Sequence, residues 1–382
     1  MRPLVEPGAP LTAAEAGRYA RHLTLPGVGV EGQRRLRAAR VLVIGAGGLG
    51  APTLLYLAAA GVGTLGVIDD DVVDLSNLQR QVLHRTEDLG RPKAESARDA
   101  LLRLDPALRV EAYVDRLDGD NAVELFGAYD LVLDGADNFA TRYLSNDAAE
   151  LTGTPLVWGT IFRFQGQVSV FWPGEGPMLR DLFPDIPPAG SVPSCAEGGV
   201  FGALCGSIGS AMATEAIKLI CGLGEPLVGR VLVHDALRAD QHTLRLVPDP
   251  DRPPVTSLAE AVEACADTAC PRVDSTTVTE LAAARAEGTA PVLLDVRDDW
   301  ERQVVTVPDD VWMPLAEVRA GGWEAVADLL DGAQDVVVYC KSGRRSAEAV
   351  ALLQQDAPDG VRLRNLTGGV LAWSREHGGP VY

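Results

Sequence analysis

Residues 40–50 read Arg40-Val41-Leu42-Val43-Ile44-Gly45-Ala46-Gly47-Gly48-Leu49-Gly50, and the stretch runs on through Ala51–Ala60, Gly61, Thr64–Ile68 and Asp69. The apolar, β-branched run Val41–Ile44 predicts a buried parallel strand, and a glycine turn follows it directly. Gly45-x-Gly47-x-x-Gly50 then opens a helix that Gly61 ends. Glycines so placed allow a tight turn and let a phosphate approach backbone N–H groups at a helix N-terminus. A second strand, Thr64–Ile68, ends on Asp69, 22 residues after Gly47, where an acidic side chain can grip a ribose hydroxyl. This much predicts a Rossmann-like α/β nucleotide-binding fold, and leaves a dehydrogenase open.

The next residues narrow the choice. Ser76-Asn77-Leu78-Gln79-Arg80-Gln81 follows within one short loop, and Lys93 comes after the turn Gly90-Arg91-Pro92. Hydride transfer needs no cations aimed at phosphates. Breaking ATP between its α and β phosphates does, because negative charge builds on both sides of that bond. Asn77, Arg80 and Lys93 supply the donors. After the apolar strand Tyr129–Leu133, the run Asp134-Gly135-Ala136-Asp137-Asn138 puts carboxylates at a strand's C-terminal end, where α/β proteins bind ligands. Asp137 is the candidate to hold the Mg²⁺ that accompanies a triphosphate.

Taken together, GAGGLG, the acidic strand end, SNLQRQ, the lysine and D-x-x-D-N resemble the adenylyltransferase domain of the ubiquitin-activating superfamily, in its MoeB/ThiF-type branch that activates sulfur carriers. The resemblance covers residues 12 to 247 and implies ATP and Mg²⁺ as cofactors. It implies that Gly48 and Asp69 bind the adenine nucleotide, that Ser76, Asn77, Leu78, Gln79, Arg80 and Lys93 hold the phosphates, that Asp137 binds Mg²⁺, and that Asn138 lies beside the nucleotide. Arg18-Tyr19-x-Arg21 matches a further family motif, from which Arg21 is expected to reach the phosphates of a neighbouring subunit in a homodimer.

The 382 residues suggest two domains. A net charge of −19 argues against nucleic-acid or anionic-membrane partners, which require a basic stripe. No positive n-region with an apolar core opens the sequence, and a cytoplasmic location is expected. Gly199–Leu223 is the longest weakly charged run, but Glu215 and Lys218 interrupt it, which favours a buried helix over a membrane span. Six scattered cysteines predict no disulfide framework.

Along the chain, Thr12–Arg21 reads as a helix with a Thr12/Glu15 capping box, and Glu31–Arg40 as a basic helix. The strands and helices that alternate from Lys93 to Thr152 predict a mostly parallel sheet covered on both faces. Pro155–Gly159 and Gly166–Trp172 read as an antiparallel pair, with Trp158, Phe162, Phe164, Phe171 and Trp172 in the core. The Pro/Gly-rich stretch from Pro173 leads to Cys195 in a glycine-lined loop before the small-residue helix. Such a loop can lower a thiol pKa, and the family places an acyl- or persulfide-accepting cysteine in a similar one. Cys205 and Cys221, on the apolar helix itself, read as inert.

One departure from the family stands out. Many relatives bind structural zinc through two C-x-x-C pairs, but Met178 and Asp181 occupy the first pair here, and about Arg252 and Val255 the second. Without four thiolates the tetrahedral site is gone, and no structural zinc is expected. Val231–His234 and Thr243–Val247 close the adenylyltransferase domain, residues 1–247. Residues 248–272 read as a linker of about 25 residues, a length that as flexible chain reaches roughly 25–30 Å.

Residues 273–382 form a second unit. Pro291–Arg297 (PVLLDVR) is a buried strand ending in an acid and a base, and Asp335–Tyr339 runs into Cys340-Lys341-Ser342-Gly343-Arg344-Arg345-Ser346. A cysteine at such a strand-to-helix turn lies in a cradle of N–H groups and helix dipole that favours an anion. The loop, LLDVR and Asn365-Leu366-Thr367-Gly368-Gly369-Val370-x-x-Trp373 resemble a rhodanese domain. Its usual G-H-I-P-G-A segment is replaced by Val305–Asp310. Phosphatases use a related loop, but with five residues between cysteine and arginine where Cys340 and Arg345 enclose four.

The joint expectation is an adenylyltransferase and sulfurtransferase. It would adenylate the C-terminal glycine of a small ubiquitin-like sulfur carrier ending in Gly-Gly, and Cys340 would then deliver sulfur from thiosulfate or a cysteine desulfurase, with Cys195 as an acyl or disulfide intermediate. Molybdopterin synthesis is one pathway such a carrier serves. Activation of a ubiquitin-like protein without sulfur transfer would leave Cys340 idle, and an NAD-dependent oxidoreductase would lack a hydride site.

Overall fold

The computed structural model describes residues 2–187, 199–267 (side chains to residue 264) and 273–380. The chain divides into two compact units, Met1–Thr268 and Ala269–Tyr382.

The first unit is built on an eight-stranded sheet. Its strands are β1 (Arg40–Ile44), β2 (Thr64–Ile68), β3 (Arg109–Tyr113), β4 (Leu131–Asp134), β5 (Leu156–Phe162), β6 (Gln165–Phe171), β7 (Arg230–Asp235) and β8 (Asp240–Arg245). They lie in the order β3-β2-β1-β4-β5-β6-β7-β8. The first five are parallel and the last three antiparallel. Val41, Leu42 and Val43 are fully buried, as the unbroken apolar run predicts for a strand covered on both faces. The order reverses between β1 and β4, and the two strand ends there form the crevice in which open α/β sheets bind ligands.

Two helices fix that crevice from one face. Gly50–Ala60 follows β1, and Gly202–Cys221 packs across it. Gly202–Cys221 is long and apolar enough to cross a membrane, yet Ile208, Met212, Ala216 and Leu219 lie in the core. The N-terminal segment differs from the single helix expected. It forms Ala13–Arg18 and Ala20–Leu23, with the Thr12/Glu15 capping box in place. The break falls at Tyr19, which is buried and donates its hydroxyl to Asp105 at 3.1 Å. Phe162 and Phe164 also differ from their expected core positions. They are each 43% exposed, at the β5–β6 turn, where Arg163 has φ +54°.

The segment 248–272, expected as a linker, largely belongs to the first unit. Arg252 is held by Asp181 and Glu150, and the helix Ala259–Asp267 packs on the helix Phe139–Thr152 with Ala261 fully buried. Proline at both ends of the segment masks a helix whose one small apolar position finds a slot in the core. The reach of a 25-residue flexible chain therefore does not apply.

The second unit holds a five-stranded parallel sheet of β9 (Ser275–Thr276), β10 (Val292–Asp295), β11 (Asp310–Trp312), β12 (Asp335–Tyr339) and β13 (Arg362–Leu366), in the order β11-β10-β12-β13-β9. β12 is central, and its side chains Val336, Val337, Val338 and Tyr339 are fully buried. Cys340 follows at its C-terminal end.

Candidate active sites in the two units

In the first unit, a cleft opens where β1 and β4 part, enclosing about 630 Å³ when its mouth, open to solvent, is included. Its floor is the glycine turn. A side chain on Gly50 would put Cβ 1.8 Å from the Gly45 carbonyl oxygen, so only glycine lets the turn fold back on the helix start. Two side chains pin the turn. Asp69 accepts the Ala46 N–H at 2.7 Å and the Asp71 N–H at 2.9 Å, and His84 bridges the Ala46 carbonyl at 2.9 Å and the Ser96 hydroxyl at 2.8 Å. A carbonyl can only accept, so Nε2 of His84 carries the proton. Burial pushes His84 down, with Lys93 acting the same way. Burial pushes Asp69 up, and Lys93 and the two N–H donors oppose it.

The cleft walls carry three cations. Lys93, buried at the start of the helix Lys93–Leu104, pairs with the exposed Asp71 at 2.8 Å. Arg80 reaches in from the loop after β2 and donates to the Ser76 carbonyl at 3.1 Å. Arg142 donates to the Ala136 carbonyl at 3.1 Å and 3.3 Å. On the β4 side, Asp137 is exposed and lines the cleft, and Asp134 is fully buried. Burial pushes Asp134 up to about 6 against the pull of Arg142. Its Oδ1 accepts the Ala136 N–H at 2.8 Å, while Oδ2 has no hydrogen-bond partner among the described residues.

Of the sequence-nominated residues, Gly48, Asp69, Arg80, Lys93 and Asp137 line this cleft. Ser76, Asn77, Leu78 and Gln79 do not. The Ser76 hydroxyl and Asn77 carboxamide bond to Asp74 instead and brace the turn that presents Arg80. Asn138 caps the helix Phe139–Thr152, accepting the Thr141 N–H at 2.8 Å. Arg21 is exposed and is not among the cleft-lining residues of its own chain. Cys195 lies outside the described residues. Burial pushes the Cys221 thiol up to about 11, in keeping with an inert role.

Sequence reasoning named none of Arg142, His84 and Gln81 as site residues, and it read Cys205 as a buried thiol. Arg142 follows Asn138 by four residues, one helical turn, and that spacing was the available signal. Cys205 lies one turn into the helix Gly202–Cys221 and lines the cleft beside Gly48.

In the second unit, Cys340 is 1% exposed and its Sγ accepts the Gly343 N–H at 3.2 Å. The helix Gly369–His377 clamps the loop: Val370 N–H donates to the Cys340 carbonyl at 2.8 Å and Leu371 N–H to that of Lys341 at 3.1 Å. A Cβ on Gly369 would lie 2.3 Å from the Cys340 oxygen, which accounts for the glycine in the Thr367-Gly368-Gly369 motif. Arg345 makes no hydrogen bond to the sulfur among the described residues, though the two interact by charge. It makes a bidentate pair with the buried Glu301, both contacts 2.7 Å. Burial works against its charge, and the Glu301 pair outweighs burial and raises its pKa.

The acid and base of LLDVR turn inward. Asp295 and Arg297 are fully buried and paired at 2.8 Å, and Arg297 also donates to the Val305 carbonyl at 2.8 Å. The replaced segment Val305–Asp310 is tied in by these bonds and by the Tyr339 hydroxyl, which joins Asp310 and accepts the Val307 N–H at 3.2 Å.

Residues 19–254 match the ThiF family, and residues 277–376 the Rhodanese-like domain. Over 98% of this chain and 96% of the relative, the sequence is 51% identical to the "Probable adenylyltransferase/sulfurtransferase MoeZ" of Mycobacterium tuberculosis. It is 40% identical to the "Adenylyltransferase and sulfurtransferase MOCS3" of Bos taurus, over 96% of this chain and 87% of that one. A "Sulfur carrier protein adenylyltransferase" of Thermus thermophilus is 55% identical over 63% of this chain and 91% of its own. Among solved structures, MccB of E. coli superposes with a TM-score of 0.56 at 20% identity, over 63% of this chain and 75% of that one, a likeness of fold.

Proposed function

The chain belongs to the ThiF family and carries a Rhodanese-like domain, and from that premise we propose that it is an adenylyltransferase and sulfurtransferase acting on a small ubiquitin-like sulfur carrier protein. The observation that carries the reading is the pairing, in one chain, of a glycine-floored cleft walled by Arg80, Lys93 and Arg142 with a cysteine cradle at the end of β12.

In the first reaction the carrier's C-terminal glycine carboxylate attacks the α-phosphate of ATP. A new P–O bond forms as the bond to the β-phosphate breaks, and pyrophosphate leaves. A free carboxylate is a poor acyl donor, and AMP makes a good leaving group. Arg80 and Lys93 line the cleft and are the donors proposed for the growing phosphate charge, and Lys93 would exchange Asp71 for a phosphate oxygen. Asp69 keeps lone pairs for a ribose hydroxyl while it holds the turn. The glycine floor and the three cations fit a nucleotide triphosphate. Asp137 is the carboxylate that would hold Mg²⁺, which adds positive charge at the phosphates when bound.

In the second reaction the Cys340 thiolate takes a sulfane sulfur from thiosulfate or a desulfurase, and its persulfide attacks the acyl carbon as AMP departs. Freeing the carrier thiocarboxylate from that acyl disulfide requires another thiol, the role proposed for Cys195. The disulfide left behind is reset by an external thiol reductant. Arg21, exposed on its short helix, is available to a second copy, which supports an in-trans role in a homodimer. The test is mass spectrometry of candidate carriers incubated with the protein, ATP and thiosulfate. Exchange of one C-terminal oxygen for sulfur is the expected result. Carriers that remain unchanged, with ATP unconsumed, would overturn the reading.

A further inference from the structure

Three side chains of the second unit are one proton short once Cys340 is ionised. Cys340 Sγ lies 3.3 Å from the Ser346 hydroxyl, and that hydroxyl lies 2.6 Å from Oδ1 of Asn365. Cys340 is 1% exposed, Ser346 0% and Asn365 8%, so in the resting structure the three groups bond chiefly to one another. One O–H serves one acceptor at a time. With the thiol neutral, S–H donates to Ser346 Oγ and the hydroxyl donates to Asn365. With the thiolate, the hydroxyl must turn to sulfur, and the short contact to Oδ1 would then oppose two lone pairs. Rotating the Asn365 carboxamide by about 180° brings Nδ2 to the same place, and the chain runs from Nδ2 to Oγ to sulfur.

We propose that Ser346 and Asn365 form a reversible hydrogen-bond relay whose direction follows the charge on Cys340, with Ser346 as the positioning residue that holds the thiolate ready for attack. The proposal rests on the sulfur-transfer reading for its purpose, and on geometry for its existence. Arg345 acts on the sulfur by charge alone: its guanidinium is paired with Glu301 at 2.7 Å, with Asp298 at 3.9 Å, and it makes no hydrogen bond to the sulfur among the described residues. Gly343, at φ +100°, turns its N–H to the sulfur. In the transfer step the thiol proton has already gone to solvent. The thiolate attacks the outer sulfur of a sulfane donor such as thiosulfate, one S–S bond forms as another breaks, and sulfite leaves with the bonding pair.

The experiment is the pH dependence of Cys340 alkylation by iodoacetamide in the full chain, read by peptide mass spectrometry. Ser346→Ala is expected to move the midpoint up by about one pH unit, tenfold in thiolate at a given pH below it. Ser346→Thr keeps the hydroxyl and should stay near the parent. Asn365→Asp, which can only accept and adds a negative charge, should move the midpoint further than Asn365→Ala. Should Ser346→Ala fail to fold, the Asn365 pair decides. A folded Ser346→Ala that superimposes on the parent, or Asn365→Asp no higher than Asn365→Ala, would overturn the relay. Persulfide formation is scored separately, as gain of one sulfur from thiosulfate. A parent that gains none, while the alkylation profiles still respond, sinks the sulfur-transfer reading and leaves the relay standing.

Discussion

The guanidinium of Arg252 donates through Nε to Asp181 at 2.9 Å, and through Nη1 to Glu150 at 2.9 Å. Asp181, and approximately Arg252, are the positions at which the family resemblance leads one to expect zinc-binding cysteines. Asp181 is 2% exposed in its side chain and also accepts the Met178 N–H at 2.6 Å and the Asp249 N–H at 3.0 Å. An ion pair thus ties together the two segments that a metal would join. The pair is buried on the acid side, so removing the arginine strands a charge. Arg252→Ala should cost the first unit about 3 kcal/mol in urea unfolding. Asp181→Ala combined with it should cost less than the two single changes added. A chelator should leave the melting temperature unchanged, and metal analysis finding one zinc per chain would defeat the substitution.

Asp134 gives a dependence on pH with a definite sign. Its folded pKa is raised from 3.8 to about 6 by burial, so the folded chain keeps a proton that the unfolded chain releases. Stability therefore falls as pH rises from about 4 to about 6, by up to roughly 3 kcal/mol. Asp134→Asn removes the ionisable group at similar volume. The variant should be more stable than the parent at pH 8, with the difference gone at pH 3.5. Equal denaturation midpoints at both pH values would mean that Asp134 is not held protonated.

Gly48 and Cys205 face each other across the cleft floor. A Cβ on Gly48 would meet Cys205 Sγ at 2.9 Å, too close for a buried side chain to accept without a shift. Gly48→Ala should raise the KM for ATP about tenfold by displacing the turn. Cys205→Ala alone should leave KM within about twofold, and the double variant should recover most of the loss. A double variant no better than Gly48→Ala would place the damage in the turn's own backbone.

The parts of this molecule that were legible in the sequence are those set by local chemistry. Val41–Ile44, Gly45–Gly50 and Cys340–Arg345 each encode a strand end and a turn within a few residues, so pattern alone placed them. Partners distant in sequence were not legible. Nothing in the residues near Arg345 says that Glu301 takes its charge, nor does Asp181 reveal that it will find Arg252. Prolines around residues 248–254 read as linker because the stabilising contact of Ala261 comes from a helix more than a hundred residues earlier. SNLQRQ read as a row of phosphate ligands, whereas Asp74 takes up Ser76 and Asn77 and leaves Arg80 to face the cleft.

Arg80 and Cys340 belong to different units, and their losses should separate cleanly. Arg80 lines the cleft and is the donor proposed for the phosphates, and removing one such donor costs on the order of 10²–10³ in rate. Arg80→Ala should slow carrier-dependent pyrophosphate exchange by that factor and leave thiosulfate:cyanide sulfur transfer as it was. Cys340→Ala should do the reverse, because the cysteine loop belongs to the second unit and the glycine-floored cleft to the first. Exchange unaffected by Arg80→Ala would remove that residue from the phosphate site. Sulfur transfer persisting in Cys340→Ala would move the nucleophile to another of the six cysteines, with Cys195 the first to examine by the same substitution.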